Sequence, residues 1–213
     1  MTSDTVAWYD QNGTEWFATH DYTNDPYWQP EMKTLAALVP GGRVLDVGCG
    51  PGLAAGVLQA HGLKITGIDA SGEMIRQARA HVPAADFRHL PWEQADQLDA
   101  EPFDGWLSMA ALGVHVHPSQ LAGVLRTVLS VVKPGGTGLI TMKPAPETAW
   151  GLAEEDKTGL PSGRWRTVWN PGEFAACLEQ AGLEITGRDT RPGGDYRGGS
   201  RGWECFLTRS RAS

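Results

Sequence analysis

Apolar residues along this chain fall into short runs separated by glycine-rich turns and amphipathic stretches. Arg43–Val47, Lys64–Asp69, Ala84–Arg88, Phe103–Ala110 and Thr137–Lys143 are rich in aliphatic and β-branched residues and are bounded by turn signals, which predicts buried strands. Helical stretches lie between them: Leu53–Ala60, the segment opened by Ser71 as N-cap, and Ser119–Val132, which Lys133-Pro-Gly-Gly136 is expected to stop. Asn170-Pro-Gly-Glu173 starts a further helix that Gly182 closes, and Leu183–Asp189 and Gly202–Thr208 read as the sixth and seventh strands. Strand and helix alternating, then a closing hairpin, imply an α/β fold: a doubly wound, seven-stranded, mostly parallel sheet with an antiparallel last strand. The first forty residues carry Trp8, Tyr9, Trp16, Phe17, Tyr22, Tyr27 and Trp28 without a clean period, and a short helix over Glu31–Val39 ends at Pro40-Gly41-Gly42. Residues 144–170, dense in Pro and Gly, read as a long loop leaving the end of a central strand, and such loops usually carry function.

The chemistry starts where the first strand ends. Asp46 lies inside the strand, and Gly48, Gly50 and Gly52 follow it with Cys49 and Pro51 between them. Such a turn can adopt positive φ, approach a ligand closely, and open the helix at Leu53 with free N–H groups at its positive end. Two ligand classes fit. From Gly50 the residues satisfy the loose G-x-G-x-x-G/A dinucleotide pattern. The other reading starts at Asp46, an acid that is costly in a buried strand unless it has a task there. Asp69 ends the second strand 19 residues beyond Gly50 and can accept both ribose hydroxyls of either ligand class.

Asp46-Val-Gly-Cys-Gly-Pro-Gly52 together with Ile68-Asp-Ala-Ser-Gly-Glu-Met-Ile75 closely resembles the two cofactor motifs of the class I S-adenosylmethionine-dependent methyltransferases. The likeness spans residues 5 to 208 and is most similar to the small bacterial kind acting on small molecules. It implies a Rossmann-like sheet. S-adenosyl-L-methionine would be held by Asp46, Gly48, Cys49 and Gly50 at its amino-acid end and by Asp69 at the ribose. Ala70 and Met74 would pack on the adenosine, and Ala110 would complete the set. The family's adenine-reading acid is not matched: Arg88-His89-Leu90 stands there, so backbone groups of His89 and Leu90 are expected to supply that contact. Trp8-Tyr9-Asp10 and Trp16-Phe17, with Tyr22-Thr23, resemble the family's N-terminal lid, which places the Tyr9 and Trp16 rings over the sulfonium.

His115 and His117 follow the fourth strand, beyond its carboxyl end, where open α/β sheets place their chemistry. They are the candidate general bases or substrate contacts, and the competing expectation is that one caps the helix beginning at Ser119. Two histidines without a third ligand in reach do not predict a metal site. The expected reaction is in-line methyl transfer to an O or N nucleophile on a small molecule. The alternatives are a tRNA-modifying methyltransferase, a nicotinamide-dependent oxidoreductase and a cofactor-binding protein without catalysis.

Composition narrows this further. The 213 residues suit one domain: residues 1–40 as lid and helix, 41–208 as core, and 144–170 as the active-site loop. A net charge of −7 argues against a dedicated nucleic-acid binder, although residues 157–213 hold 9 Lys/Arg against 6 Asp/Glu, with Arg188, Arg191, Arg197 and Arg201 among them. Cys49, Cys177 and Cys205 are scattered and odd in number, which predicts a reducing, cytoplasmic setting. No apolar run is long enough to span a membrane, and Met1–Asp10 lacks the basic start and apolar core of a signal peptide. A monomer or homodimer is expected.

Overall fold

The computed structural model describes residues 1–18, 29–98, 101–153, 163–191 and 202–211. Its elements in chain order are α1 (Ser3–Ala18), α2 (Gln29–Leu38), β1 (Arg43–Val47), α3 (Leu53–Ala60), β2 (Lys64–Asp69), α4 (Gly72–His81), β3 (Asp86–His89), a 3-10 turn (Trp92–Gln97), β4 (Phe103–Ala111), α5 (Leu112–His115), α6 (Pro118–Leu129), β5 (Val132–Met142), β6 (Ala149–Leu152), β7 (Trp165–Val168), α7 (Pro171–Gln180), β8 (Leu183–Arg191) and β9 (Trp203–Ser210). Seven strands form one sheet in the order β3-β2-β1-β4-β5-β9-β8. β9 runs antiparallel to both β5 and β8, and the other pairings are parallel, as the sequence pattern implies.

Strand order reverses between β1 and β4. β1 continues outward to β2 and β3, whereas β4 continues to β5 on the other side. The crevice beyond the carboxyl ends of β1 and β4 is therefore where an open sheet takes its ligand. The glycine turn leaves β1 and α5 leaves β4, so both motifs meet at that crevice.

Two-residue alternation sorts the core onto the two faces. Leu45 and Val47 of β1 pack with Trp106, Leu125, Phe174 and Phe206, while Val44 packs with Leu35, Leu58, Ile75 and Phe87 on the other face. Asp46 shares the face of Val44. Trp106, Phe103 and Phe174 are fully buried, each contributing roughly 1.5–3 kcal/mol of burial energy. Helix starts follow the sequence: Asn170 Oδ1 accepts from the N–H groups of Gly172 and Glu173, and Pro171 sits at the first helical position.

Two expectations are corrected and one element is added. The aromatic N-terminal segment, whose aromatic residues show no clean period, is a helix, α1. The helix expected to run to Val132 stops at Leu129, and Lys133-Pro-Gly-Gly136 lies within β5 as a bulge. Phe103 pairs with Val132 and Gly105 with Thr137, so the extra residues on β5 are looped out. The segment expected as loop contains an antiparallel ribbon, β6 with β7. Residues 154–162 of that segment, Tyr22-Thr23, Tyr27, Trp28, Arg197 and Arg201 lie outside the described residues.

Candidate active site

The glycine turn and Asp69 are one device. Gly48 and Cys49 donate their N–H groups to the Ile68 carbonyl at 2.9 and 3.0 Å, and Gly50 donates to Asp69 Oδ2 at 3.0 Å. Asp69 Oδ1 accepts from the Ser71 N–H at 2.8 Å. These three turn amides therefore hold the loop against β2 rather than pointing at a ligand, which corrects the expectation for them. Each Asp69 oxygen keeps acceptor capacity, because a carboxylate oxygen has two lone pairs.

Gly48 and Gly50 need to be glycine for different reasons. Both have positive φ, 72° and 51°. A side chain at Gly48 would also strike Ala111 Cβ at 2.4 Å, whereas one at Gly50 would meet only Met74 Sδ at 3.9 Å. The space over Gly50 is thus open, with Met74 at its floor.

Asp46 is 1% exposed, and its Oδ2 has no hydrogen-bond partner. Burial, with the Asp69 charge adding to it, pushes its carboxyl up to about 7. Burial also raises Asp69, against the lowering pull of the Ser71 and Gly50 N–H groups. Two buried carboxyl groups beside an open cradle are chemically suited to a cation that also bears hydroxyls. A pyrophosphate would meet repulsion there. Cys49 keeps its thiol proton, since burial and then both carboxylates raise it; its sulfur donates to the Gly50 carbonyl at 3.6 Å.

The adenine side differs from expectation. The Leu90 N–H is taken by the Asp69 carbonyl at 2.9 Å and cannot serve a base edge. His89 is exposed and its Nε2 lies 2.9 Å from the Ala70 carbonyl, so the ring closes over the residue after the acid. Ala110 adopts φ 54°, the sole non-glycine residue at positive φ among those described, and its N–H donates to Thr141 Oγ1 at 2.8 Å. Backbone strain therefore sits where β4 turns into the crevice. Ser108 supports that corner: its Oγ donates to the Val47 carbonyl and accepts from the Leu112 N–H, both at 3.0 Å.

His115 is 5% exposed and fully engaged. The Trp165 carbonyl, 2.9 Å from Nδ1, can only accept, so Nδ1 carries the proton. Nε2 then accepts from the Tyr9 hydroxyl at 3.2 Å, and that hydroxyl accepts from Arg164 at 3.1 Å. Burial, with Arg164, Arg166 and the chain's amino terminus adding to it, holds the imidazole down to about 3, against the raising pull of the Trp165 carbonyl. His115 is a neutral residue here. His117 is exposed and takes the capping role: its Nδ1 receives the Ser119 N–H at 3.3 Å at the start of α6, and its ring edge meets Trp150.

Sequence reasoning did not find the residues that lock this side together. The Thr167 hydroxyl donates to the Val116 carbonyl at 2.7 Å and Trp169 Nε1 to the Gly113 carbonyl at 3.0 Å. With the Trp165 carbonyl on His115, every second residue of this strand segment therefore grips α5 and the residue after it. Arg164, 4% exposed, lies over the Trp8 ring at 4.1 Å. The Tyr9 hydroxyl points at His115 and Arg164, and Trp16 packs edge-on against the Tyr9 ring at 5.8 Å. Asp10, also missed, accepts from Ser71 Oγ at 2.6 Å and from the Glu73 N–H at 3.2 Å at the start of α4.

Residues 44–136 match a methyltransferase-domain family. A ubiquinone biosynthesis O-methyltransferase of Xanthomonas campestris pv. campestris (strain B100) is 34% identical over 157 residues, covering 69% of this chain and 64% of that protein. The counterpart in Bordetella bronchiseptica is 32% identical over 187 residues, covering 76% of each. The chain belongs to the class I S-adenosylmethionine-dependent methyltransferases. Within that family, the crystal structure of Burkholderia thailandensis 1,6-didemethyltoxoflavin-N1-methyltransferase, with bound 1,6-didemethyltoxoflavin and S-adenosylhomocysteine, shares the fold. Its TM-score is 0.74 at 20% identity, over 97% of this chain and 88% of that one. Among the described residues no helix is long and apolar enough to cross a membrane, and no group of three or more His, Cys, Asp or Glu could hold a metal ion.

Proposed function

We propose that the protein transfers the methyl group of S-adenosyl-L-methionine to an oxygen or nitrogen nucleophile of a small molecule. The observation that carries this reading is the buried Asp46 carboxylate, with Oδ2 unpartnered, beside the open space over Gly50. The cofactor's ammonium would meet Asp46, its ribose hydroxyls the remaining acceptor sites of Asp69, and its adenosine Ala70, Met74 and His89. When bound, it supplies an electrophilic methyl on a good leaving group. The chain's own task is then to position and to exclude water, which can supply roughly 7–11 kcal/mol of the barrier. Tyr9, Trp8 and Trp16 form an aromatic wall for that purpose.

In this reading residues 1–213 form one methyltransferase domain. Residues 1–40 supply lid and helix, 41–208 the core, and 144–170 border the substrate side. The protein acts on a small molecule in the cytoplasm, as a monomer or homodimer; three free thiols suit a reducing compartment. A nucleic-acid substrate is disfavoured because Arg188 is paired with Glu204 and lies over Phe206. His115, neutral and closed off, serves as a shaped wall rather than a strong base, which suits a nucleophile that arrives with its lone pair exposed.

The test is a calorimetric titration with S-adenosylhomocysteine, NAD and NADP in parallel, followed by transfer of a labelled methyl group to catechols, phenols and heteroaromatic amines. Micromolar binding of S-adenosylhomocysteine alone is expected. Binding of a dinucleotide instead overturns the assignment of Asp46.

A further inference from the structure

Helix α1 has two working faces, each with helical spacing. Thr5, Trp8 and Tyr9 (i, i+3, i+4) face the substrate side: Thr5 Oγ1 accepts from the Trp165 N–H at 3.0 Å, Trp8 carries Arg164, and the Tyr9 hydroxyl bonds His115. Asp10, Gly13 and Thr14 repeat that spacing and face α4. Asp10 caps α4 through Ser71 and Glu73, and Thr14 donates to Glu73 Oε1 at 2.7 Å. A side chain at Gly13 would come within 2.2 Å of the Met74 methyl, so α1 and α4 are in close contact there. Ser71 is shared: its N–H serves Asp69 and its hydroxyl serves Asp10. Neighbouring residues of one helical turn thus reach the cofactor acid through Ser71 and the substrate-side histidine directly.

We propose that Tyr9 is a positioning residue for His115 and that Asp10 is its anchor, so that the Tyr9–His115 contact forms when Asp10 docks on Ser71 beside Asp69. A rigid helix cannot dock one face and leave the other behind, because Tyr9 and Asp10 share a backbone. Any ligand that favours the arranged Asp69–Ser71 segment also favours the Tyr9–His115 contact, and the coupling is reciprocal. The groups facing His115 are Tyr9 of α1, Arg164, Trp165 and Arg166 at the start of β7, and the amino group of Met1, which is paired with Glu93. Only the naming of Asp69's ligand rests on the proposed function.

The test uses the full chain labelled with ¹⁵N-histidine, with His115 assigned through the His115→Gln variant. The wild type should show a neutral imidazole with its proton on Nδ1 and an accepted hydrogen bond at Nε2, unchanged between about pH 5 and 8. Tyr9→Phe should shift the Nε2 signal of His115 and, because the coupling is reciprocal, weaken S-adenosylhomocysteine by about threefold. Asp10→Ala should move the same signal in the same direction, although Asp10 does not touch His115, and should weaken S-adenosylhomocysteine by about fivefold, as for a lost cap. Asp10→Asn, whose side-chain oxygen still accepts from Ser71 and Glu73, should restore the wild-type signal. Saturating S-adenosylhomocysteine should draw the Asp10→Ala signal back toward it. A His115 signal unchanged in Asp10→Ala overturns the coupling, and one unchanged in Tyr9→Phe removes Tyr9 from its role. Absence of S-adenosylhomocysteine binding to the wild type sinks the cofactor reading, while the two signal comparisons still decide the coupling.

Discussion

The Gly50 N–H lies 3.0 Å from Asp69 Oδ2, so the turn after β1 is fastened by the acid that ends β2. Asp69 thereby shapes the glycine cradle, and under the proposed function its second task is to offer its remaining lone pairs to the cofactor's ribose. Asp69→Ala is expected to weaken S-adenosylhomocysteine binding more than tenfold, equivalent to at least ~1.4 kcal/mol, and also to lower stability because the Gly50 and Ser71 N–H groups lose their acceptor. Asp69→Asn keeps one acceptor oxygen and should lose less stability than affinity. Calorimetry paired with urea unfolding separates the two tasks; unchanged affinity in both variants removes Asp69 from the ribose.

Asp46 makes the ligand-free protein pH-sensitive. Its carboxyl is raised to about 7 from an unfolded value of 3.8, so folding favours its protonated form. Its contribution is intact below the unfolded value, and stability is lost as pH rises toward about 7. Asp46→Asn should therefore raise the melting temperature of the ligand-free protein at pH 8, well above that range, while reducing cofactor affinity more than tenfold. An ammonium ligand pulls the carboxyl back down, so wild-type binding should release a proton near neutral pH. Calorimetry in two buffers of different ionisation enthalpy measures that proton, and none released counts against an Asp46–ammonium contact.

The two histidines should behave differently. His117→Ala removes a helix cap and should cost about 1 kcal/mol of stability, with turnover little changed. His115→Gln should lower turnover severalfold without altering the shape of the pH–rate profile between about 6 and 8, because His115, held to about 3, does not titrate there. A profile whose neutral limb disappears in His115→Gln would show that the imidazole accepts a proton during turnover.

Ser108 is the hinge between fold and site. Its hydroxyl ties the last residue of β1 to the first residue of α5, and the residue is wholly buried. Ser108→Ala leaves the Val47 carbonyl and the Leu112 N–H without that partner, a cost of about 1–3 kcal/mol. Urea unfolding reads the loss, and a change under 0.5 kcal/mol, within the range of about ±0.5 kcal/mol typical of neutral surface positions, means that the backbone relaxes at little cost.

Local information determined the sheet and the cofactor half. β1, the glycine turn and Asp69 are contiguous signals whose partners lie within one β-α-β unit, so strand period, positive-φ glycines and a terminal acid suffice to read them. The closing hairpin was legible because Leu183 and Ile185 open one apolar run and Cys205, Phe206 and Leu207 form another, each next to turn residues. Tertiary structure alone decided the substrate half. α1 carries no apolar stripe because its two faces bind polar and aromatic partners, so its period is invisible until α4 and the 164–165 segment are in place. Residues 144–170 looked irregular because the ribbon of β6 and β7 is held by bonds to Gly113, Val116 and His115, partners distant in sequence. The state of His115 had the same origin: its type marked the place, but Tyr9 and Trp165, brought from both sides of the chain, set its tautomer, and burial, with Arg164 and Arg166 adding to it, keeps it neutral.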